Sequence, residues 1–193
     1  MDGMNDSLAR VVVIGPESTG KSTLSETLAG HYGTRWCPEY ARGYLEEHGR
    51  DYGFDSLLSI AKGQIELEDS LAERAVSEWE GSPQHARTRR PLLFVDTDMY
   101  VMKVWSEFVF GRCHPWILDR IVERRYDLYL LCHTDLPWVQ DELREYPDPS
   151  TRMELFRIYR EHLASQPVPW VDIRGTHPDR LEAAIRAVDG LLG

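Results

Sequence analysis

The sequence predicts an α/β fold in which helices cover both faces of a parallel sheet. Short apolar runs rich in β-branched residues alternate with longer stretches of helical periodicity. A glycine-rich loop follows the first apolar run, and a later run ends in an aspartate. Alternating strands and helices give a parallel sheet with right-handed crossovers, so we expect the loop and the aspartate to lie side by side.

The composition is that of one ordinary globular domain. The chain has 193 residues, of which 42% are hydrophobic and 28% are charged. We expect a flexible leader over residues 1–9 and a single domain over residues 10–193. The formal net charge of −10 argues against nucleic acid or an anionic membrane as a partner, because both require a positive surface.

The sequence also predicts a cytoplasmic location. It has no run of 18 apolar residues, and its first residues are polar and acidic rather than a signal peptide. Its three cysteines, Cys37, Cys113 and Cys132, are odd in number and widely spaced, as is typical of reduced thiols in a cytosolic protein.

The first strand, Arg10–Ile14, leads into the loop Gly15–Ser22, which matches the phosphate-binding pattern G-x-x-x-x-G-K-[ST]. A helix over Lys21–Tyr32 follows, capped by Gly33. Backbone N–H groups and the helix N-terminus bind phosphate in such a loop, and the serine hydroxyl holds Mg²⁺. The predicted nucleotide-binding residues here are Gly15, Glu17, Ser18, Thr19, Gly20, Lys21, Ser22 and Thr23.

The second strand, Thr34–Cys37, is short and stops at Pro38. The polar segment Glu39–Arg42 then follows at the edge where open α/β sheets bind ligands. A long helical pattern covers Leu57–Trp79, and the glycine inside it, Gly63, indicates close packing or the approach of a ligand.

The third strand, Leu92–Val95, ends in Asp96, with Asp98 two residues further on. An apolar strand that ends in an acid beside a phosphate-binding loop is the Walker B arrangement. The carboxylate of Asp96 can then bind Mg²⁺ directly or through water. A helix over Met99–Phe108, which carries Trp105, comes next.

The fourth strand, Leu128–Cys132, precedes an acidic, proline-containing stretch that we interpret as a lid over about residues 133–152. Arg144 and Arg152 belong to it, and arginines from a lid can clamp phosphates during phosphoryl transfer. The alternative is that they pair with nearby acids. The remaining predicted elements are a helix over Arg152–Ala164, a strand over Val168–Ile173 and a helix over Pro178–Leu191.

The loop indicates a nucleoside triphosphate but not its use. The chain lacks the base-reading N-K-x-D segment of GTPases and an ABC-type signature, and it is short for an AAA+ motor module. These exclusions favour a small kinase.

An ordered set of motifs resembles the ribosylnicotinamide kinase domain of the NadR family. The set consists of Gly15–Ser22, Glu39–Arg42, Gly63–Gln64, Asp96–Asp98, His114–Pro115 and Pro137–Arg144. The resemblance implies a three-layer P-loop kinase fold with five parallel strands in the order 2-3-1-4-5 and a lid. It implies transfer of the γ-phosphate of ATP, with Mg²⁺, to the 5′-hydroxyl of nicotinamide riboside. The chain has no H-x-G-H motif, so we expect no adenylyltransferase activity.

The resemblance also implies roles for individual residues. Lys21 and Ser22 serve the phosphates and Mg²⁺, and Arg144 and Arg152 come from the lid. The predicted riboside-binding residues are Glu39, Tyr40, Arg42, Asp98 and Trp105. The predicted catalytic residues are Lys21, Asp96, Asp98 and Arg144, with Ser22 and Asp96 at the metal.

The sequence leaves open the general base, the aromatic residue that faces the pyridinium, and the alternative functions. Asp98, Asp96 or Glu39 can accept the proton of the attacking hydroxyl. A cationic pyridinium favours an aromatic face, for which Trp36, Tyr40, Trp105 and Trp116 are candidates, although each also suits a core. The alternative functions are a kinase for another nucleoside or small alcohol, and an ATP-binding regulatory or sensor module.

Overall fold

The computed structural model describes residues 8–80 and 88–193. Its five strands form one sheet, and seven helices are assigned within these ranges. The elements are β1 Ala9–Ile14, α1 Lys21–Tyr32, β2 Arg35–Cys37, α2 Tyr40–His48, α3 Phe54–Glu80, β3 Leu92–Asp96, α4 Met99–Phe110, α5 Pro115–Glu123, β4 Leu128–Cys132, α6 Pro149–Ala164, β5 Trp170–Ile173 and α7 His177–Leu192.

The sheet is parallel throughout and has the order β2-β3-β1-β4-β5, which confirms the predicted order. The central strand β1 lies between β3 and β4, with Val12 opposite both Val95 and Tyr129. Because all strands run in one direction, the residues that follow β1, β2 and β3 meet at the carboxyl edge of the sheet.

Both faces of the sheet are buried, as the unbroken apolar strands predict. Along β1 the side chains alternate: Val11 and Val13 pack towards α1 and α7, whereas Val12 and Ile14 pack towards α3, α4 and α6. A separate apolar cluster joins α2, α3, α4 and α5 and includes Leu57, Ile60 and Met102. It holds the outer helices beside the carboxyl edge.

Two short helices, α2 and α5, were not predicted. Helix α2 begins at Tyr40, inside the polar segment Glu39–Arg42, for which no helix was predicted. Helix α5 begins at Pro115, after the ring of His114 accepts a hydrogen bond from the Trp116 N–H group. Each has only nine residues, which is too short to show a clear helical periodicity of apolar residues.

Most other predicted boundaries differ from the structure by one to three residues, and two of these differences have a clear physical cause. Helix α6 starts at Pro149 rather than Arg152, because Asp148 caps it and proline suits a first helical turn. At the other end of the chain, Leu8 is buried and Ala9 pairs with Leu92 in the sheet, so both lie outside any flexible leader. Residues 1–7 lie outside the described ranges. No described helix is long and apolar enough to cross a membrane.

Candidate active site

The phosphate-binding loop takes a conformation that depends on its glycines. Gly15 has a φ of 147°, and a Cβ atom at this position would lie 2.6 Å from the carbonyl oxygen of Cys132. Gly20 has a φ of 78° at the start of α1. Within the loop, the hydroxyl of Thr19 and the ammonium of Lys21 both donate to the carbonyl oxygen of Pro16, at 2.7 and 3.0 Å.

Asp96 meets the loop at Ser22, as predicted. The Ser22 hydroxyl donates to Oδ2 of Asp96 at 2.5 Å, while Oδ1 of this fully buried carboxylate has no hydrogen-bond partner among the described residues. Burial raises the pKa of Asp96 to about 6, the charge of Lys21 opposes this rise, and that of Glu39 adds to it. A hydroxyl beside a carboxylate oxygen without a partner suits Mg²⁺, which binds through oxygen ligands, so the residues present fit the ion.

Asp98 is placed differently from its predicted acceptor-side position. Its carboxylate caps α4 by accepting from the N–H groups of Tyr100 and Val101, at 3.0 and 3.3 Å. The second oxygen accepts from the hydroxyl of Tyr129 at 2.9 Å. Burial raises the pKa of Asp98 to about 7, and the side chain is not among those that line the cavity described next. Its contacts are those of a residue that fixes α4.

One cavity joins the phosphate-binding loop to an apolar and aromatic end. The loop forms one wall, and α4 contributes Val101, Val104, Trp105 and Phe108 to the opposite end. The remaining walls come from α2, the lid and α6, with Glu39, Ala41, Arg42, Leu45, Leu143, Arg144, Glu145, Tyr146, Leu155 and Tyr159. The cavity therefore brings the phosphate-binding loop together with three of the predicted riboside-binding residues, Glu39, Arg42 and Trp105.

Glu39 faces this cavity with a free carboxylate. The side chain is half-buried, and it has no hydrogen bond or ion pair among the residues described. The buried amide of Gln64 holds the backbone on both sides of it, accepting from the Tyr40 N–H at 2.7 Å and donating to the Pro38 carbonyl at 3.2 Å. The sequence singled out Gln64 only within a motif and did not predict this contact.

Tyr40 and Arg42 differ in their relation to the cavity. Tyr40 does not line it, because its ring packs against α3, where a Cβ atom on Gly63 would lie 2.2 Å from it. Gly63 therefore serves close packing. Arg42 lines the cavity and pairs with Asp141 of the lid at 3.2 Å.

Of the four candidate aromatic residues, Trp105 alone lines the cavity in the described part of the chain. Its indole N–H donates to the hydroxyl of Tyr52 at 2.9 Å, and that hydroxyl donates to the carboxylate of Glu145. Trp36 packs with the core beside α1 and α7, and Trp116 packs in the outer cluster of helices.

The segment predicted as a lid lies against the phosphate-binding loop. The carboxylate of Glu17 accepts from the N–H groups of Glu145 and Tyr146, at 2.9 and 3.1 Å. Burial raises the pKa of Glu17, although these two hydrogen bonds oppose the rise. The hydroxyl of Ser18 accepts from the Val139 N–H at 2.9 Å. Sequence spacing gives no sign of these contacts, which join residues more than 120 positions apart.

Arg144, from the segment predicted as a lid, and Arg152, which the structure places in α6 rather than in a lid, contact the loop and do not pair with acids. Arg144 lies near the Ser18 hydroxyl at 3.4 Å, and Arg152 donates to the Ser18 carbonyl at 3.1 Å. Neither forms an ion pair with a described residue. A third arginine, Arg180 of α7, donates to the Thr19 carbonyl at 2.9 Å, and no motif in the sequence drew attention to it.

A family model described as an AAA domain matches residues 10–180. The chain belongs to this family. The match covers the phosphate-binding loop and every strand of the sheet. Membership of this family agrees with nucleotide binding at the loop. That the chain is not a motor module stays a prediction.

The chain is also similar to the trifunctional NAD biosynthesis/regulator protein NadR of Escherichia coli K12, with 29% identity over 167 residues. This alignment covers 84% of the chain and 37% of the relative. NadR of Salmonella typhimurium LT2 is 28% identical over 188 residues, which cover 95% of the chain and 42% of the relative. The chain spans about two fifths of these relatives, and the similarity confirms the resemblance to NadR.

Solved structures with the same fold include a NadR protein in complex with NR. The TM-score is 0.74 and the identity 24%, over 97% of this chain and 52% of that one. Thymidylate kinase from Ehrlichia chaffeensis gives a TM-score of 0.61 at 14% identity, over 95% and 97% of the two chains. These likenesses confirm the predicted P-loop kinase fold.

Proposed function

We propose that the protein transfers the γ-phosphate of ATP to the 5′-hydroxyl of nicotinamide riboside, giving nicotinamide mononucleotide. The observation that carries this proposal is the single cavity that joins the phosphate-binding loop to the free carboxylate of Glu39 and the aromatic wall at Trp105. The similarity to NadR supports the choice of substrate, since one NadR structure was solved with NR.

The donor half holds the triphosphate. Loop N–H groups, the N-terminus of α1 and the ammonium of Lys21 bind and neutralise the phosphate oxygens. Ser22 and Asp96 would hold Mg²⁺, which when bound offsets charge on the transferred phosphoryl group. Arg144 adds positive charge from the lid, and Arg152 supports the loop at Ser18.

Glu39 is the best candidate for the general base. Asp96 already accepts from Ser22 and belongs to the metal site, and both oxygens of Asp98 accept hydrogen bonds within the protein. Glu39 lines the cavity without a partner among the described residues, so it is able to accept the proton of the attacking 5′-hydroxyl. Arg42 and the backbone of α2 would position the riboside.

A cationic pyridinium fits the far end of the cavity. Trp105 offers an aromatic face, Phe108 and Tyr146 stand edge to face with ring centres 5.2 Å apart, and Glu145 adds a carboxylate to the same wall. Aromatic faces and a nearby negative charge both attract a cation.

Residues 10–193 act as one domain, residues 133–152 act as its lid, and the acceptor is a small molecule rather than nucleic acid or a membrane. We also propose a cytoplasmic location, with which the free thiols of the three cysteines are consistent.

The test is a panel of nucleosides and small alcohols with MgATP, read as acceptor-dependent ADP release and by mass spectrometry of the product. We expect nicotinamide riboside to give the highest kcat/KM, with one phosphate added at the 5′ position. If another acceptor stimulates ADP release more strongly, that acceptor is the substrate in place of nicotinamide riboside. ATP binding with no acceptor-dependent ADP release would favour a sensor module instead.

A further inference from the structure

The peptide groups of the phosphate-binding loop are held from outside by two buried arginines. Arg152 of α6 donates to the carbonyl oxygen of Ser18 at 3.1 Å, and Arg180 of α7 donates to that of Thr19 at 2.9 Å. Each arginine is 4% exposed. Two consecutive loop carbonyls are therefore fixed by side chains from the last two helices of the chain.

Fixing a carbonyl also fixes the next N–H group. A trans peptide is planar, and its C=O and N–H bonds point in opposite directions. Holding the Ser18 carbonyl turns the Thr19 N–H away from Arg152, and holding the Thr19 carbonyl does the same for the Gly20 N–H. These N–H groups are the donors that a phosphate-binding loop uses.

The loop conformation needs this support. Ser18 has a φ of 55°, a left-handed conformation that is unfavourable for a residue with a Cβ atom and persists when surrounding contacts hold it. Ser18 and Thr19 are the two residues whose carbonyls the arginines hold. The strained position and the external contacts coincide.

All three guanidinium nitrogens of Arg180 donate hydrogen bonds within the protein. Its Nε donates to the Gly175 carbonyl at 2.9 Å, and its Nη2 donates to the His133 carbonyl at 2.8 Å and to the carboxylate of Asp135. It thus ties the loop to the segments that follow β4 and β5. Because these donors are used and Asp135 balances its charge, Arg180 supports the nucleotide through the loop.

We propose that Arg180 is a positioning residue that keeps the phosphate-binding loop in its triphosphate-binding conformation. The proposal rests on the donor half of the proposed function. In this proposal Arg180 affects the affinity for the nucleotide. It does not affect binding at the acceptor end, which α2, α4 and the lid form.

Arg124 provides a matched control. It is also a largely buried arginine, paired with Glu68 at 2.7 Å and Asp69 at 2.6 Å, but it lies before the amino end of β4, at the opposite edge of the sheet from the loop. Loss of either guanidinium leaves buried acceptors unpaired and should lower the melting temperature.

The experiment compares Arg180→Gln, Arg180→Lys and Arg124→Gln with the wild type. Calorimetric titration with MgATP gives Kd, thermal denaturation gives Tm, and steady-state kinetics at saturating MgATP give the acceptor KM. We expect Arg180→Gln to raise the MgATP Kd at least ten-fold and to leave the acceptor KM within two-fold. Arg180→Lys should fall between this variant and the wild type. Arg124→Gln should lower Tm but keep the MgATP Kd within two-fold.

Two results would overturn the proposal: a wild-type MgATP Kd in the Arg180 variants, or the same loss of MgATP affinity in Arg124→Gln. If Arg180→Gln does not fold, Arg180→Lys decides alone, since lysine cannot reach the three carbonyls at once. Wild-type protein that binds MgATP but ignores nicotinamide riboside would reject the substrate assignment and leave the role of Arg180 standing.

Discussion

The two ends of the cavity are built in opposite ways. The donor end is one contiguous segment, Gly15–Ser22, whose backbone is held by the strand before it, the helix after it and contacts from α6 and α7. The acceptor end is assembled from Glu39 before α2, Trp105 of α4, and Glu145 and Tyr146 of the segment predicted as a lid. In the proposed function, the donor end binds phosphate largely through the backbone of one segment, whereas the acceptor end binds its substrate through side chains.

This difference predicts which end of the cavity tolerates changes in its amino-acid sequence. A backbone cradle accepts any triphosphate and leaves little freedom in its own sequence. Side chains on separate elements can change one by one and so set which acceptor is phosphorylated. Substitutions at the two ends should therefore have different kinetic signatures.

The largest effect is expected at the donor end. Lys21→Ala removes the charge that faces the transferred phosphate and should reduce kcat/KM by about 10²–10³, the loss typical of one transition-state donor. The measurement is ADP release with MgATP and nicotinamide riboside, with Tm recorded to show that the fold persists. Near-normal turnover in this variant would contradict the donor-end assignment.

The next effect is expected at the acceptor carboxylate. Glu39→Gln removes the proposed base and should lower kcat by about 10², the lower end of the usual contribution of general base catalysis, because a loose transition state requires little proton transfer. The MgATP Kd should not change. Asp98→Asn is the matched control, because an asparagine can still cap α4 and should retain most of the turnover. If both substitutions abolish turnover to the same extent, the assignment of Glu39 rather than Asp98 as the general base is wrong.

A smaller change is expected at the aromatic wall. Trp105→Ala removes the face offered to the pyridinium and should raise the KM for nicotinamide riboside about ten-fold, since a cation–π contact contributes about 0.5–2 kcal/mol. The KM for MgATP should not move. Trp116→Ala, which alters a tryptophan outside the cavity, should leave both values unchanged. A rise in both KM values for Trp105→Ala would indicate a general loss of structure.

The smallest change concerns stability. Burial raises the pKa of Asp96 from 3.8 to about 6, so the folded state holds this proton more tightly than the unfolded state does. The stability present below pH 4 is lost as the pH rises through about 6. Asp96→Asn should therefore stabilise the nucleotide-free protein at pH 8 by about 1–3 kcal/mol, and less at pH 5.

Denaturant unfolding at the two pH values measures this difference. The same variant should lose Mg²⁺-dependent turnover, since it lacks the carboxylate of the metal site. An equal shift in stability at both pH values would show that the titration of Asp96 is not its cause.

Local patterns in the sequence were enough for the donor end and most of the fold. Helix α1 and strand β4 have the predicted bounds, because a glycine-bounded helix and an unbroken apolar run are defined by neighbouring residues. The pairing of Ser22 with Asp96 also follows from parallel strands that end at one edge.

Contacts between distant parts of the chain could not be predicted in this way. The second oxygen of Asp98 is held by Tyr129 from β4, and the hydrogen bonds of Gln64 beside Glu39 depend on how α3 packs against β2. The hold of Arg180 on Thr19 spans 161 positions. These bonds are set by tertiary packing, so neither periodicity nor motif spacing encodes them.

The lid touches both ends of the cavity through the same few residues. Glu145 and Tyr146 donate their N–H groups to Glu17 of the phosphate-binding loop, and they also line the acceptor end. We expect the affinities of the two substrates to be thermodynamically linked, with each changing the Kd of the other by the same factor. Titrations of the acceptor with and without a non-hydrolysable ATP analogue measure that factor, and a factor of one would mean that the shared segment transmits nothing.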